Sequence, residues 1–227
     1  MKLTPPYPDY KFFRKPYKQS TLACISIDCS ILSYSDESFV RLALANTFLV
    51  LNEFISVKET QVLVLALPSG FKIVAFRGTE TFNIRDWEVD FDCRVHGTCH
   101  RGFLEAYEHV ARRIDKWTKD AASVYYTGHS LGGALATVAY VRGLHRQASC
   151  ITFGAPKVFT QTVNRDMDVT RYVHGCDIVP HLPPLPFVHV GRAVELKQTP
   201  RPWSNIFVPL RIFSHVPVLY AERLWGA

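Results

Sequence analysis

Residues 128–132 read Gly128-His129-Ser130-Leu131-Gly132. A serine hydroxyl is a poor nucleophile at neutral pH. It attacks a carbonyl only with a base beside it and with donors for the oxyanion that develops on the substrate. Residues 122–126 are a short apolar, β-favouring run, and Leu131, Leu135, Val138 and Ala139 then recur at helical spacing. Ser130 is therefore expected at a strand-to-helix corner with the G-x-S-x-G spacing of a nucleophile elbow. The helix N-terminus there supplies a positive dipole and N–H groups, and the glycines let two segments pass closely. The competing reading is an ordinary Gly/Ser turn between a strand and a helix.

If Ser130 is such a nucleophile, the chain order of an α/β arrangement puts the acid and then the histidine downstream. Of the downstream aspartates, Asp177 follows a strand-like run at 170–173 and precedes Val179-Pro180. That places it in a loop at a strand's C-terminal end, where open parallel sheets hold their chemistry. Asp166 and Asp168 read as solvated charges. Among the downstream histidines, His145, His174 and His181 precede or crowd Asp177, and His189 alternates with Val188 and Val190 as a packed or sheet-face residue. His215 opens a new segment and is the better base.

The positioning elements follow from periodicity. Helices are expected over 22–32 and 39–50, the second behind Ser35 and Asp36 as N-caps, and over 103–117, where apolar residues recur at steps of three and four. Strands are expected over 61–67 and 71–76 around the turn Pro68-Ser69-Gly70, and over 150–153, 170–173 and 187–196. A last helix is expected over 216–224. Strands alternating with helices predict a three-layer αβα sandwich with a mainly parallel sheet.

At 227 residues and 48% hydrophobic content, the chain suits a basic aromatic arm over 1–20 and a single catalytic domain over 21–227. The net charge is +6, and Lys2, Lys11, Arg14, Lys15 and Lys18 stand in the arm against Asp9 alone. Interleaved with Tyr7, Tyr10, Phe12, Phe13 and Tyr17, they suit peripheral contact with an anionic membrane surface, or a solvated strap whose aromatics pack on the domain. Nothing resembles a nucleic-acid motif. The apolar region 42–57 is too short and polar to span a bilayer. The opening residues carry Pro5, Pro6, Pro8 and Asp9 instead of a leader's apolar core, so a cytoplasmic location is expected. The six cysteines read as free thiols. Cys93, His96, Cys99 and His100 fit a zinc site on paper; a Cys93–Cys99 disulfide and unconnected side chains are the alternatives.

Several segments in order, FRGTE at 76–80, IRDW at 84–87, HRGFLEAY at 100–107, GHSLGGALA at 128–136, FGAPKV at 153–158, DIVPHLPP at 177–184 and HVG at 189–191, resemble the class 3, or fungal-type, triacylglycerol lipase family. The resemblance implies an α/β-hydrolase fold and hydrolysis of carboxylic esters through Ser130, Asp177 and His215, with no cofactor. It implies an oxyanion hole from the N–H groups of Thr79 and Leu131, with Asp90 fixing the threonine. It also implies a lid near 80–92, whose apolar Phe82, Ile84 and Trp87 would cover the acyl pocket; a fixed surface loop whose apolar residues complete the core is the alternative. The expected substrates are lipid or small esters, acylglycerols of short to medium chain. Feruloyl esterase and phospholipase A1 activities on the same triad are alternatives, and a catalytically silent binding protein is the reading from another class. The chain departs from the family pattern in placing its last histidine in FSHVPVLY rather than in an Asp-His pair.

Overall fold

A computed structural model of the chain describes residues 10–78, 94–143, 145–161, 163, 167–175, 177–196 and 215–226. Among them a seven-stranded sheet runs in the order β1-β2-β3-β6-β7-β8-β9. The strands are β1 Val50–Val57, β2 Thr60–Ala66, β3 Lys72–Phe76, β6 Val124–His129, β7 Ala148–Phe153, β8 Val169–His174 and β9 Arg192–Leu196. β4 Val95–His96 and β5 Cys99–His100 form a separate ribbon. β1, β2 and β3 are antiparallel, and from β3 to β9 every pairing is parallel. The C-terminal ends of β3, β6, β7 and β8 therefore lie along one edge.

Side chains alternate across β2 and β3, and each face meets its own helices. Leu63, Leu65, Ile73 and Ala75 pack with α1 Leu22–Leu32 and α2 Glu37–Leu44. Val62, Val64, Val74 and Phe76 pack with α3 Arg101–Glu108, α4 Ala111–Thr118 and α5 Leu131–Arg142. α6 Pro217–Trp225 lies beside α1, where Tyr220 and Ala221 join Ile27, Ile31 and Phe153 in a third cluster. Helices on both faces of a mainly parallel sheet are the expected three-layer sandwich. α1 and α5 are buried over most of their surface, packed against both the sheet and other elements.

Three expected elements end elsewhere. The helix expected over 39–50 is capped by the Asp36 carboxylate and stops at Leu44. Thr47 donates from its N–H and its hydroxyl to the Leu44 carbonyl and accepts from the Leu49 N–H, which turns the chain into β1, an edge strand that periodicity did not reveal. The helix expected over 103–117 is two helices. The N–H of Val110 bonds the Tyr107 carbonyl, a tighter turn, before the helical ladder resumes on the Val110 carbonyl. Its stripe of Phe103, Tyr107, Val110 and Ile114 is nonetheless buried as one face. The strand expected over 187–196 begins only at Arg192. Gly191 at φ +72° makes the bend, and a Cβ there would lie 2.2 Å from the Val169 carbonyl oxygen.

Residues 10–20 lie across the α1 side as a strap. Tyr10 and Phe12 pack into the third cluster and Phe13 and Tyr17 into the α1–α2 cluster, while Lys11, Arg14, Lys15 and Lys18 are exposed. The carboxylate of Asp28, buried in mid-α1, accepts from Tyr10 Oη at 2.5 Å, from the Phe13 N–H at 2.5 Å and from Trp225 Nε1 at 3.0 Å. One acid thus ties strap, α1 and α6 together. Tyr17, Lys18, Leu22, Phe71 and Tyr125 line an open cleft of about 330 Å³ near the starts of β3 and β6.

Candidate active site

The elbow is built by close approach of main chain. β6 ends at His129, and Ser130 stands between strand and helix at φ 58°, ψ −128°, a conformation that costs an L-residue energy and persists only where surroundings enforce it. Its N–H donates to the Phe153 carbonyl at 3.0 Å and its carbonyl accepts from Gly133 and Ala134, so neighbour strand and helix both hold it. A Cβ on Gly128 would fall 2.2 Å from the Gly132 carbonyl carbon, and one on Gly132 would fall 2.2 Å from the Phe76 carbonyl oxygen. Those contacts explain the two glycines of the motif. Leu131 is the first residue of α5, where a helix has N–H groups with no carbonyl of its own turn to bond.

Asp177 leaves β8 by a turn in which its N–H bonds the His174 carbonyl, and its carboxylate is fully buried. Oδ1 accepts from the Val179 N–H at 2.9 Å. Oδ2 accepts from His215 Nδ1 at 2.7 Å and from Tyr220 Oη at 2.5 Å. A carboxylate only accepts, so Nδ1 of His215 bears a proton, and Nε2 is the nitrogen left to act as a base. Nε2 is buried and makes no hydrogen bond among the described residues. Gly154, at the end of β7 with φ +59°, leaves the room this pair needs. A Cβ there would lie 2.7 Å from Asp177 Oδ2 and 3.0 Å from His215 Cε1.

β6 and β8 thus carry Ser130 and Asp177 to one edge of the sheet, and the hydrogen bond to Asp177 holds His215 beside them. The ring of His129 lies 4.4 Å from that of His215, centroid to centroid. Burial, and secondarily the charge of His215, holds the His129 imidazole well below the ordinary histidine range. Burial, then the nearby Asp177 charge, raises the Tyr220 hydroxyl well above the usual phenol range.

The other candidates are placed differently. His189 bonds the Pro180 carbonyl at 2.6 Å, and burial with the nearby Arg171 charge lowers its imidazole to about 4. His174 closes β8, its imidazole lowered first by burial. Asp168 is exposed and accepts from the Ser149 hydroxyl. Thr79, Phe82, Ile84, Trp87, Asp90 and the whole lid segment 80–92 lie outside the described residues, as do Cys93 and Asp166. Gly78 is placed, and a Cβ on it would sit 2.7 Å from the His129 carbonyl oxygen, so Gly78 itself lies against the elbow. Cys99 is buried with a free thiol, and among the described residues no three His, Cys, Asp or Glu side chains converge to hold a metal. Tyr220, Tyr34 and His129 escaped the sequence reading. The first two look like ordinary aromatic core positions, and the third is hidden inside the motif itself.

A family profile described as Lipase (class 3) matches residues 73–187, half of the chain and the stretch from β3 through the Asp177 loop. The chain belongs to the class 3 lipase family. Within that family it is 37% identical over 135 residues to the secreted mono- and diacylglycerol lipase 1 of Fusarium solani, a match covering 51% of this chain and 40% of that one. It is 32% identical over 145 residues to a lipase of Rhizopus niveus, covering 54% and 37%. The chain thus matches less than half the length of these curated relatives. In structure it is similar to the lipase of Rhizopus microsporus var. chinensis, with a TM-score of 0.58 and 24% identity over 78% of this chain and 73% of that one, which establishes the α/β-hydrolase fold. The expectation of a cytoplasmic location does not stand, because the Fusarium relative is secreted by name. It rested on the absence of a leader in the opening residues, which carries no such information for a chain that spans only part of its relatives. No described helix is long and apolar enough to cross a membrane.

Proposed function

We propose that this class 3 family member is a serine carboxylic ester hydrolase acting on lipid esters, with acylglycerols of short to medium chain as its substrates. The observation that carries the reading is the buried Asp177–His215 pair at 2.7 Å, on the same sheet edge as a serine held at φ 58°. In the mechanism, Nε2 of His215 takes the Ser130 proton as the oxygen attacks the ester carbonyl. Asp177 holds the Nδ1 tautomer and stabilises the imidazolium. The N–H of Leu131, with that of Thr79, receives the oxyanion, a service whose loss costs about 100- to 1000-fold in rate. The alcohol leaves with the proton from His215, and water repeats the cycle on the acyl enzyme. The reaction as read uses side chains and main chain alone.

The secreted Fusarium relative supports action outside the cytoplasm, and its mono- and diacylglycerol substrates support partial glycerides as candidates here. The segment 80–92, with Phe82, Ile84 and Trp87 among acidic residues, is read as a short lid that opens with little help from a lipid surface, Asp90 supporting Thr79. The deciding experiment has two stages. A fluorophosphonate probe should label the wild type and not Ser130→Ala; equal labelling would remove the serine reading. Initial rates on p-nitrophenyl esters, mono-, di- and triglycerides and phospholipids, taken for tributyrin across its solubility limit, then test the substrate class. A steep rise at the emulsion threshold would contradict weak interfacial activation, and preference for phospholipid would contradict acylglycerols.

A further inference from the structure

His129 sits inside the elbow, yet the reaction drawn through Ser130, Asp177 and His215 gives it no part. Its Nε2 lies 2.5 Å from the main-chain carbonyl oxygen of His215, and its Nδ1 lies 3.0 Å from Tyr34 Oη. A carbonyl only accepts, so Nε2 must carry a proton. In the neutral ring Nδ1 is then the acceptor, and the Tyr34 hydroxyl donates to it. Donation therefore runs in one direction, from Tyr34 through His129 to the peptide of His215.

We propose that His129 and Tyr34 are positioning residues for ester hydrolysis: Tyr34 fixes the Nε2–H tautomer of His129, and His129 clamps the peptide of His215 so that its ring is presented to Ser130. The proposal rests on the hydrolase reading above. His215 precedes α6, outside any regular element. Its side chain is held by Asp177 at Nδ1 and its main chain by His129, and these two attachments together fix the ring's tilt. The second attachment comes from the residue next to the nucleophile, so base and serine are referenced to the same backbone.

The surroundings suit a ring that stays neutral. His129 is faced by Tyr34 from the turn after α1, by the His215 ring, and by Tyr220 of α6 at 5.9 Å, with Asp177 beyond. No carboxylate bonds it among the described residues, and burial favours the uncharged form. The imidazolium that forms on His215 thus meets no second cation 4.4 Å away. The Tyr34 hydroxyl is itself well seated, since a Cβ on Gly78 would fall only 2.2 Å from it.

A buried polar contact with a purely structural role would move stability and leave the kcat to KM split alone. The test compares wild type, Tyr34→Phe, His129→Gln, His129→Phe and Ser130→Ala on p-nitrophenyl butyrate, with fluorophosphonate labelling rates and thermal midpoints. His129→Phe should lower kcat about 100-fold with KM within about twofold, as expected for a misplaced catalytic group. The labelling rate should fall in parallel. His129→Gln, whose amide nitrogen can reach the place of Nε2, should regain about tenfold of that loss. Tyr34→Phe should lower kcat about tenfold, and the 15N shifts of His129 should move from one tautomer toward a mixture. Wild-type kcat in a folded His129→Phe would overturn the proposal; if that variant fails to fold, wild-type kcat with unmoved His129 15N shifts in Tyr34→Phe overturns it. A Ser130→Ala variant that still turns over would instead remove the underlying hydrolase reading.

Discussion

Tyr220 and His215 donate to the same oxygen of Asp177, Oδ2, at 2.5 and 2.7 Å. Asp177 is thus shared between His215 and a phenol on α6, and the same phenol oxygen accepts from the His174 N–H at 3.2 Å. Tyr220→Phe removes a donor to a buried carboxylate and leaves that N–H unpaired. It should cost about 1–3 kcal/mol of stability and lower kcat about tenfold. Urea titration and steady-state kinetics on a soluble ester check both, and unchanged kcat would show that Asp177 is positioned without the phenol.

Under the proposed mechanism, the roles of Ser130 and His215 are separable from folding. Ser130→Ala should abolish hydrolysis with the thermal midpoint nearly unchanged, and His215→Ala should lower turnover at least about a thousandfold. His189→Ala should reduce stability while activity survives, because that ring serves the Pro180 carbonyl. Exchange of the two histidine outcomes would reassign the base to His189.

Gly154 is a steric test of the Asp177–His215 pair. At φ +59°, alanine there would press on Asp177 Oδ2, Tyr220 Oη and His215 Cε1, all within 3.0 Å of the new carbon. Gly154→Ala should lower kcat about 100-fold, beyond any loss attributable to the folded fraction. Full activity in a folded variant would mean that this corner adjusts freely.

Asp28 should give the stability curve a slope in acid. Burial raises its carboxyl from the ordinary 3.8 to about 6, against the opposing hydrogen bonds from Tyr10, Trp225 and Phe13. The native state therefore holds the proton more tightly than the unfolded chain. The contribution is fully present below about pH 4 and is lost as pH rises through about 6, on the order of 3 kcal/mol in all. Urea midpoints between pH 4 and 7 should show this fall in the wild type, and the stability difference from Asp28→Asn should change by about the same 3 kcal/mol over that range; a difference that stays constant with pH would assign the slope to another group.

Ser130 and Asp177 were legible because their chemistry is local. A serine between glycines at a change of period, and an aspartate in a loop after a strand, are patterns a sequence displays. His215 was reached by elimination among histidines. What the sequence hid are contacts made across layers. Tyr34 lies 95 residues from the ring it meets, and Trp225 lies 197 residues from Asp28. An aromatic in an apolar stripe signals burial and says nothing of what its hydroxyl touches. β1 was hidden for a related reason. Its partner β2 and the Thr47 turn decide its conformation, whereas its own residues continue the apolar run of α2.

The strap bears on how this molecule would sit on a surface. Tyr17 reaches the β2–β3 turn at Ser69, and Lys18 lines the cleft with Phe71 and Tyr125, so this part of the strap borders the starts of β3 and β6. Ser130 stands at the far end of the same β6, six residues of extended chain away, or roughly 20 Å. An anionic sheet gripping Lys18 would hold the molecule by its base with its mouth turned outward, so that esters arriving from solution, or from a facing droplet, reach the serine before those of the sheet that anchors it.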